Sequence, residues 1–322
     1  MGRKQGPRKG SMQIWPRKRA QKFLPEVNWN AISIEHQAEK AGLMGFIAYK
    51  AGMASAFVKD NTPDSMTKNK RIILPVTILE APPLKIHSVR FYKGNKVLKD
   101  VLNDNLDKEL KKVVKLPKNK VNAKEMIEKM TDFDDITLVC YTQAKKTGIK
   151  KSPDISEIGL FGKKEEKLQF VKDNLAKEIS ISEVFQKGLV DARGLTIGRG
   201  FQGTVKRFGV HLRNHKAEKG VRRVGSIGGW HPIGIRFTVP RPGQMGMHSR
   251  IIYNNVVIAS KKLSAEDEIG KKPFKHYGIV KNDYLVLGGN VNGPVKRQVL
   301  ITATLRPTKK QLKRQYELLE LR

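Results

Sequence analysis

Three groups of residues in this 322-residue chain have types and spacing that chemistry could use. Gly198-Arg199-Gly200-Phe201-Gln202-Gly203 fits Gly-x-Gly-x-x-Gly, a turn that lets backbone approach a dinucleotide pyrophosphate. That chemistry needs a helix directly after the third glycine and an acid about 20 residues further on. Thr204-Val205-Lys206-Arg207-Phe208-Gly209 is a poor helix start, and the acid near that distance, Glu218, sits in a basic run. His211 and His215 stand four apart, as two zinc ligands would on one helix face. Leu212, Arg213 and Asn214 between them supply no glutamate base, and the nearby arginines oppose a cation. Asp132, Asp134 and Asp135 could suggest magnesium, but in a helix-to-strand turn they read better as solvated turn residues. Spacing supports no Ser/His/Asp or Cys/His nucleophile. No catalytic group, cofactor or metal is therefore expected. The alternative is an RNA- or nucleotide-acting enzyme using residues 198–203.

What remains is binding chemistry, and charge locates it. The chain has 63 Lys plus Arg against 30 Asp plus Glu, a formal net charge of +33. Such an excess binds polyanions. Residues 100–185 hold 17 Lys and 16 acids, and no Arg, an ordinary solvated surface. Residues 1–30 hold Arg3, Lys4, Arg8, Lys9, Arg17, Lys18, Arg19 and Lys22 against the single acid Glu26. Residues 194–250 hold Arg199, Arg207, Arg213, Arg222, Arg223, Arg236, Arg241 and Arg250, with Lys206, Lys216 and Lys219, against Glu218 alone. The arginines gather where acids are absent. A guanidinium fork pairs with phosphate and stacks on bases, so this segregation marks a nucleic-acid footprint rather than general solubilisation. Anionic membrane is the rival polyanion, but no stretch approaches the ~20 apolar residues of a membrane span.

Residues 194–250 also carry 12 of the 28 glycines. They are too polar for a compact domain and too long for an ordinary connection. As a hairpin-like excursion, each arm would reach at most roughly 80 Å at ~3.3 Å per residue. Near the far end, Gly228-Gly229-Trp230-His231-Pro232 offers a large π-surface on a closely approaching backbone. Base stacking there would contribute ~1–3 kcal/mol per base. Trp230 could equally be a core anchor for the loop, and composition does not choose. His215, His231 and His248 read as RNA contacts or exposed residues. Trp15 adds a second stacking candidate in the arm.

The elements that must position these groups are mostly strands. Short apolar runs at 43–49, 53–58, 72–79 and 86–92 are separated by Gly, Pro and Asn. Asn122 with Glu125 opens a short helix over 123–130. Residues 163–177 put Leu168, Val171 and Leu175 on one helical face. Strand 136–142 lies between them and carries Cys140, the only cysteine, which permits no intrachain disulfide. A reducing, cytoplasmic setting fits. Strands return at 251–258, 284–287 and 295–305, and 308–321 reads as a charged terminal helix. The expected class is α+β, a sequence-interrupted β-barrel. Its parts are a basic extension 1–40, first barrel part 41–95, α+β insertion 96–185, return 186–199, Gly/Arg-rich loop 200–250 with a Trp tip, second barrel part 251–306, and helix 307–322.

Asp191-Ala192-Arg193-Gly194-Leu195-Thr196-Ile197 and the run that follows to Arg207 closely resemble the signature of universal large-subunit ribosomal protein three. So do Gly225-Ser226-Ile227-Gly228 and Gly243-Gln244-Met245-Gly246. Gly10-Ser11-Met12-Gln13, Trp15-Pro16-Arg17-Lys18-Arg19-Ala20 and Gly45-Phe46-Ile47-Ala48-Tyr49-Lys50-Ala51-Gly52-Met53 are similar to its archaeal and eukaryotic form. The resemblance runs from residue 1 to about 306, and no long C-terminal extension of the eukaryotic type follows, which makes the chain archaeal-like. It implies a six-stranded translation-protein β-barrel, and an arm and central loop that penetrate 23S-type large-subunit rRNA. It implies a tip tryptophan, here Trp230, near the peptidyl-transferase region, and a role in early subunit assembly. The implied neighbours are ribosomal proteins fourteen and twenty-four-e around a single copy of the chain. The expected rRNA contacts are Arg3, Lys4, Arg8, Lys9, Trp15, Arg17, Lys18 and Arg19 in the arm, and Arg199, Lys206, Arg207, Arg213, His215, Arg222, Arg223, Trp230, His231, Arg236, Arg241, Gln244, His248 and Arg250 in the loop. Eukaryotic members carry a histidine twelve residues before the tip tryptophan; here that position is Glu218, so any function of that histidine does not carry over.

Overall fold

The computed structural model describes residues 16–36, 41–94, 96–117, 122–231, 233–235, 239–264 and 268–322. In chain order its strands are β1 (Gly42–Leu43), β2 (Gly45–Asp60), β3 (Arg71–Glu80), β4 (Leu84–Lys93), β5 (Lys96–Leu102), β6 (Asp135–Thr142), β7 (Ile155–Phe161), β8 (Gly188–Leu195), β9 (Phe201–Gln202), β10 (Gly243–Gln244), β11 (Ser249–Lys261), β12 (Tyr284–Gly288), β13 (Gln298–Ala303) and β14 (Tyr316–Leu321). The helices are short: α1 (Trp29–Glu35), α2 (Ala123–Glu128), α3 (Ala144–Thr147), α4 (Lys164–Asn174), α5 (Ile181–Val184), α6 (Thr204–Phe208), α7 (Glu268–Lys271) and α8 (Lys309–Leu312). The class is mixed α and β, mostly sheet. Contacts divide the chain into two units, one of residues 23–194 with 250–322, the other of residues up to 22 with 195–249.

In the larger unit, one sheet has the order β13-β8-β11-β12-β3-β2-β14, and β13 also pairs with β2. Six strands therefore form a ring, and β14 is added to the free part of β2. The second sheet has the order β1-β7-β6-β4-β5. Seven consecutive residues of β2, Gly45 to Ala51, are buried, after which burial alternates. The first half lies in one core with Leu84, Ile86 and Val89 of β4 and Val299, Leu300 and Ile301 of β13. A strand covered on both faces reads as an unbroken apolar run, and one covered on a single face alternates.

Four expectations need correction. The runs at 43–49 and 53–58 are one strand, because the chain makes a register shift between Lys50 and Gly52 rather than a turn, and Gly52 gives room to Phe274. β4 belongs to the second sheet, so that sheet draws on residues before 96. The N-terminal extension is shorter than 1–40. Trp29 packs against Gly45 and Gly159, and Ile32 is fully buried, which ties α1 into the core. The terminal helix is only α8. Residues 316–321 are strand, with Tyr316 and Leu318 half-buried and Glu317 and Leu319 exposed. High helix propensity in Lys, Gln, Glu and Leu is a weak prior. β13 pairs only with Gly45–Tyr49 of β2, and β14 covers Ala56–Asp60, an edge that would otherwise stand open.

Other expected elements form, with different details. α2 begins after Asn122, but Asp104 caps it, accepting the Ala123 N–H at 3.0 Å. Asn122 bonds the Glu125 side chain instead. On α4, Val171 and the following Leu175 are buried, and Leu168 packs beside them.

Asp60, at the end of β2, organises the turn into β3. Its carboxylate accepts from the Thr62 N–H (2.9 Å), Ser65 Oγ (2.9 Å) and Thr67 Oγ1 (2.5 Å). Burial alone would raise this carboxyl, but the donors outweigh it and hold it at about 2. A depressed folded value contributes stability above the unfolded value of 3.8 that is lost as pH falls towards about 2. Asp60→Asn should lower the melting temperature at neutral pH and leave its pH dependence flatter across that window. Thermal melts from pH 7 to 2 check this, and parallel curves would exclude Asp60 as a source of acid sensitivity.

Candidate nucleic-acid interface

The smaller unit is built from two limbs zipped at their base. The Thr196 N–H donates to His248 O (3.0 Å), and Met247 N–H to Thr196 O (3.2 Å). Arg199 N–H donates to Met245 O (2.9 Å) and Met245 N–H to Gly200 O (2.8 Å). β9 and β10 continue the ladder with Phe201 opposite Gln244 and Gln202 opposite Gly243. This stem depends on Gly246, at φ +80, where a β-carbon would lie 2.0 Å from Ile197 O. The expectation that 194–250 is no compact body is corrected in this sense. The loop clusters with residues 16–22 of the arm, and backbone hydrogen bonds, rather than an apolar core, close it.

Arg207 is the internal clasp of that body. From α6 its Nε donates to Gln244 O at 3.0 Å, one terminal nitrogen to Arg241 O at 2.8 Å, and the other reaches Arg17 O at 3.5 Å. The guanidinium passes where Gly243 has no side chain; a β-carbon there would sit 2.9 Å from Nη1. Burial, then the charge of Arg17, pull its pKa below the ordinary arginine value. Phe208 takes Arg17 at 4.9 Å and Arg207 at 5.0 Å. The arm is further held by Ala20 N–H to Met247 O at 2.8 Å and by the His248 ring against Lys18 O at 3.2 Å. Sequence reasoning missed Phe208, whose signal was an aromatic beside arginine in an otherwise basic run.

Beyond the stem, Arg213 closes a second turn. Its N–H donates to Val221 O (3.0 Å) and its Nη2 to Val224 O (2.6 Å). Glu218 is exposed within this turn. Gly228 and Gly234 approach so closely that a β-carbon on Gly228 would stand 3.0 Å from Gly234 O. Trp230 lies between them in sequence, 84% exposed, and Ile233 is exposed to the same degree. The core-anchor reading of Trp230 is thereby excluded for this structure.

The expected contact residues thus separate. Lys18, Arg19, Arg199, Lys206, His215, Arg222, Arg223, His231 and Arg241 are exposed within the unit. Arg207, Arg213 and Gln244 are turned inward onto carbonyls, Gln244 Nε2 donating to Gly246 O at 3.1 Å. Arg250 is exposed but lies on β11 with the larger unit. Arg3, Lys4, Arg8, Lys9, Trp15 and Arg236 lie outside the described residues.

The competing chemistries meet particular obstacles. A helix does follow Gly203, against expectation, but α6 has five residues and stops at Gly209, φ +67. The strand pair beside it is antiparallel and two residues long, unlike the parallel βαβ unit that seats a dinucleotide. His211 and His215 are both exposed. Asp132 pairs with Lys93 at 2.5 Å, Asp134 accepts the Gly94 N–H at 2.6 Å, and Asp135 pairs with Lys167 at 2.6 Å. Three carboxylates with three separate partners do not converge on one ion.

A family model described as ribosomal protein L3 matches residues 1–321. Large ribosomal subunit protein uL3 of Methanocaldococcus jannaschii is 42% identical over 321 residues, covering 95% of this chain and 93% of that protein. The protein of the same name from Methanosphaera stadtmanae is 41% identical, with 97% and 95% covered. That of Archaeoglobus fulgidus is 37% identical, with 94% and 93% covered.

Proposed function

The chain belongs to the ribosomal protein L3 family, and on that premise we propose that its arm and central loop form one preassembled body that enters large-subunit rRNA, with Trp230 stacking on a base at the tip. It is a structural constituent of the large ribosomal subunit in the cytoplasm, not an enzyme, and it binds rRNA. The finer reading is a six-strand ring of the translation-protein barrel type carrying a loop that reaches towards the peptidyl-transferase centre of 23S-type rRNA. Early assembly, and neighbours of the type of proteins fourteen and twenty-four-e, are part of that reading.

The observation that carries it is a large aromatic side chain left in solvent at the end of a backbone-closed, glycine-flanked turn. Burial of Trp normally contributes to stability, so an exposed Trp on an ordered turn needs an outside partner. Unstacked bases are such a partner. Arg222 and Arg223, exposed ahead of the tip, would neutralise phosphates on the way in. The inward-turned arginines have a different role, since a loop whose carbonyls are already satisfied loses less entropy on binding.

Trp230→Ala should leave the ring folded and the subunit assembled, while nucleotides at the tip become more reactive to chemical probes. Stacking worth ~1–3 kcal/mol per base corresponds to roughly five- to 150-fold in the local stacking equilibrium. Unchanged reactivity in purified large subunits would remove the stacking role.

A further inference from the structure

A second basic surface lies in the larger unit, away in sequence from both arm and loop. Residues 251–322 carry 14 Lys or Arg against six acids, so the charge excess is not confined to the two extensions. Within the connection between β11 and β12, residues 269–282 carry Lys271, Lys272, Lys275 and Lys281 and no acid, and this stretch is anchored as an exposed loop rarely is. Glu80, at the end of β3, is fully buried. Its Oε1 accepts from the Lys281 N–H (3.0 Å), the Asn282 N–H (3.0 Å) and Asn282 Nδ2 (2.6 Å), and its Oε2 accepts from the Tyr277 hydroxyl. All four donors belong to this one connection. Phe274 packs over Gly52, where a β-carbon would lie 2.9 Å from the ring. Phe274 and Gly278 exchange backbone hydrogen bonds of 2.9 and 3.1 Å.

These anchors point Phe274, Tyr277 and Val280 inward and leave Lys275, His276 and Lys281 exposed. His276 is held at φ +63, a conformation a side chain-bearing residue rarely adopts. Such strain persists only where the surroundings over-determine it, and it gathers at functional sites. Lys281 Nζ lies over the end of α3, 3.6 Å from where a β-carbon on Gly148 would stand. The α3 lysines beside it are already neutralised, Lys145 by Glu109 at 3.0 Å and Lys146 by Glu178 at 2.8 Å. Among the described residues no carboxylate lies within ion-pair distance of Lys275 or Lys281, and both side chains are exposed, so their charge faces outward.

We propose that this turn is a second rRNA-binding site, in which Lys275, His276 and Lys281 receive a stretch of phosphate backbone independently of the central loop. The proposal rests on the chain's place in the large subunit. The lysines act here as point charges rather than guanidinium forks, and the His276 ring adds a hydrogen-bond donor, which suits phosphate contact and not base readout. The Glu80 anchor gives the lysines a fixed spacing, which distinguishes a site from a diffuse basic surface.

Large subunits assembled with full-length Lys275→Gln/Lys281→Gln protein test it by hydroxyl-radical footprinting, alongside wild type and Trp230→Ala. The double variant should lose protection at one rRNA segment that Trp230→Ala leaves protected. In rRNA binding by the free protein, the slope of log affinity against log salt should fall by about 1.4 to 1.8. Glu80→Leu keeps every lysine but frees the turn, and it should lose the same protection. An unchanged footprint and slope in the lysine variant would overturn the site, whatever Glu80→Leu does. Absence of rRNA protection by the wild-type chain would instead sink the ribosomal reading itself, so the two failures are distinguishable.

Discussion

Binding of this chain to large-subunit rRNA should fall by roughly a thousand- to a hundred-thousand-fold as monovalent salt rises from about 50 to about 200 mM. The factor follows from counterion release. Each phosphate neutralised by a protein cation frees condensed ions, and about six to ten such contacts give this range. Lys18, Arg19, Arg199, Lys206, Arg222, Arg223 and Arg241 are exposed on the arm-and-loop unit and can supply them. The internal clasp makes the prediction sharper than a count of bases would. Arg222→Gln or Arg223→Gln should each lower the slope by about one. Arg207→Gln should instead weaken binding at every salt concentration by loosening the stem, because its donors are engaged with Gln244 O, Arg241 O and Arg17 O. Filter binding or fluorescence titration at several salt concentrations separates the two behaviours. A response under tenfold across that range would remove the electrostatic mechanism.

Composition singles out a candidate interface because segregated charge is a sum over many residues. No single position has to be read correctly for residues 194–250 to stand out. Assigning roles within the segment is different. Arg207, Arg213 and Arg222 are equivalent by type and neighbourhood, yet the first two bond backbone carbonyls far along the chain and the third faces solvent. That division depends on which carbonyls the fold brings within reach, and local sequence does not carry it. The same holds inside the family signature. Asp191 is buried and accepts the Asn254 N–H (2.8 Å) and the Leu305 N–H (3.0 Å), and burial raises its carboxyl. Arg193 is buried beside it and bonds Thr302 Oγ1 at 3.1 Å. Lys50, in another matching motif, donates to Val291 O at 2.6 Å. These residues hold the ring closed, so resemblance at them reports the scaffold rather than the RNA contact.

Strands were legible wherever one periodicity ran through them, as in β3, β6, β12 and β13. The misreadings came where a long-range partner decided. β4 has the same apolar look as β3, and only its pairing with β6, Ile86 opposite Cys140, assigns it to the second sheet. Tyr316–Leu321 alternates over six residues, too few to outweigh helix-forming residue types until β2 is known to extend beyond β13.

Gly246→Ala should disconnect the loop from its stem. A β-carbon at this position would lie 2.0 Å from Ile197 O, 2.9 Å from the Ile197 carbonyl carbon and 3.0 Å from Gly198 Cα, all backbone. No rotamer change relieves a clash with backbone. Backbone on both sides is pinned, by Met247 N–H to Thr196 O and by Arg199 N–H to Met245 O. The residue also sits at φ +80, which disfavours any side chain. Left-handed strain and overpacking together are worth about 3 kcal/mol or more, enough to open a stem held by a handful of hydrogen bonds. Gly243→Ala should be milder, because its β-carbon meets the Arg207 guanidinium, the far end of a flexible side chain. Gly225→Ala meets nothing within 4 Å and serves as the neutral control. Limited proteolysis of the free proteins should show new cleavage within 195–249 for Gly246→Ala only, with the ring unit intact. Its incorporation into large subunits should fall well below that of Gly225→Ala. Equal protease resistance and equal incorporation would mean that the stem is not what presents the tip, and Trp230 would then be ordered by the rRNA alone.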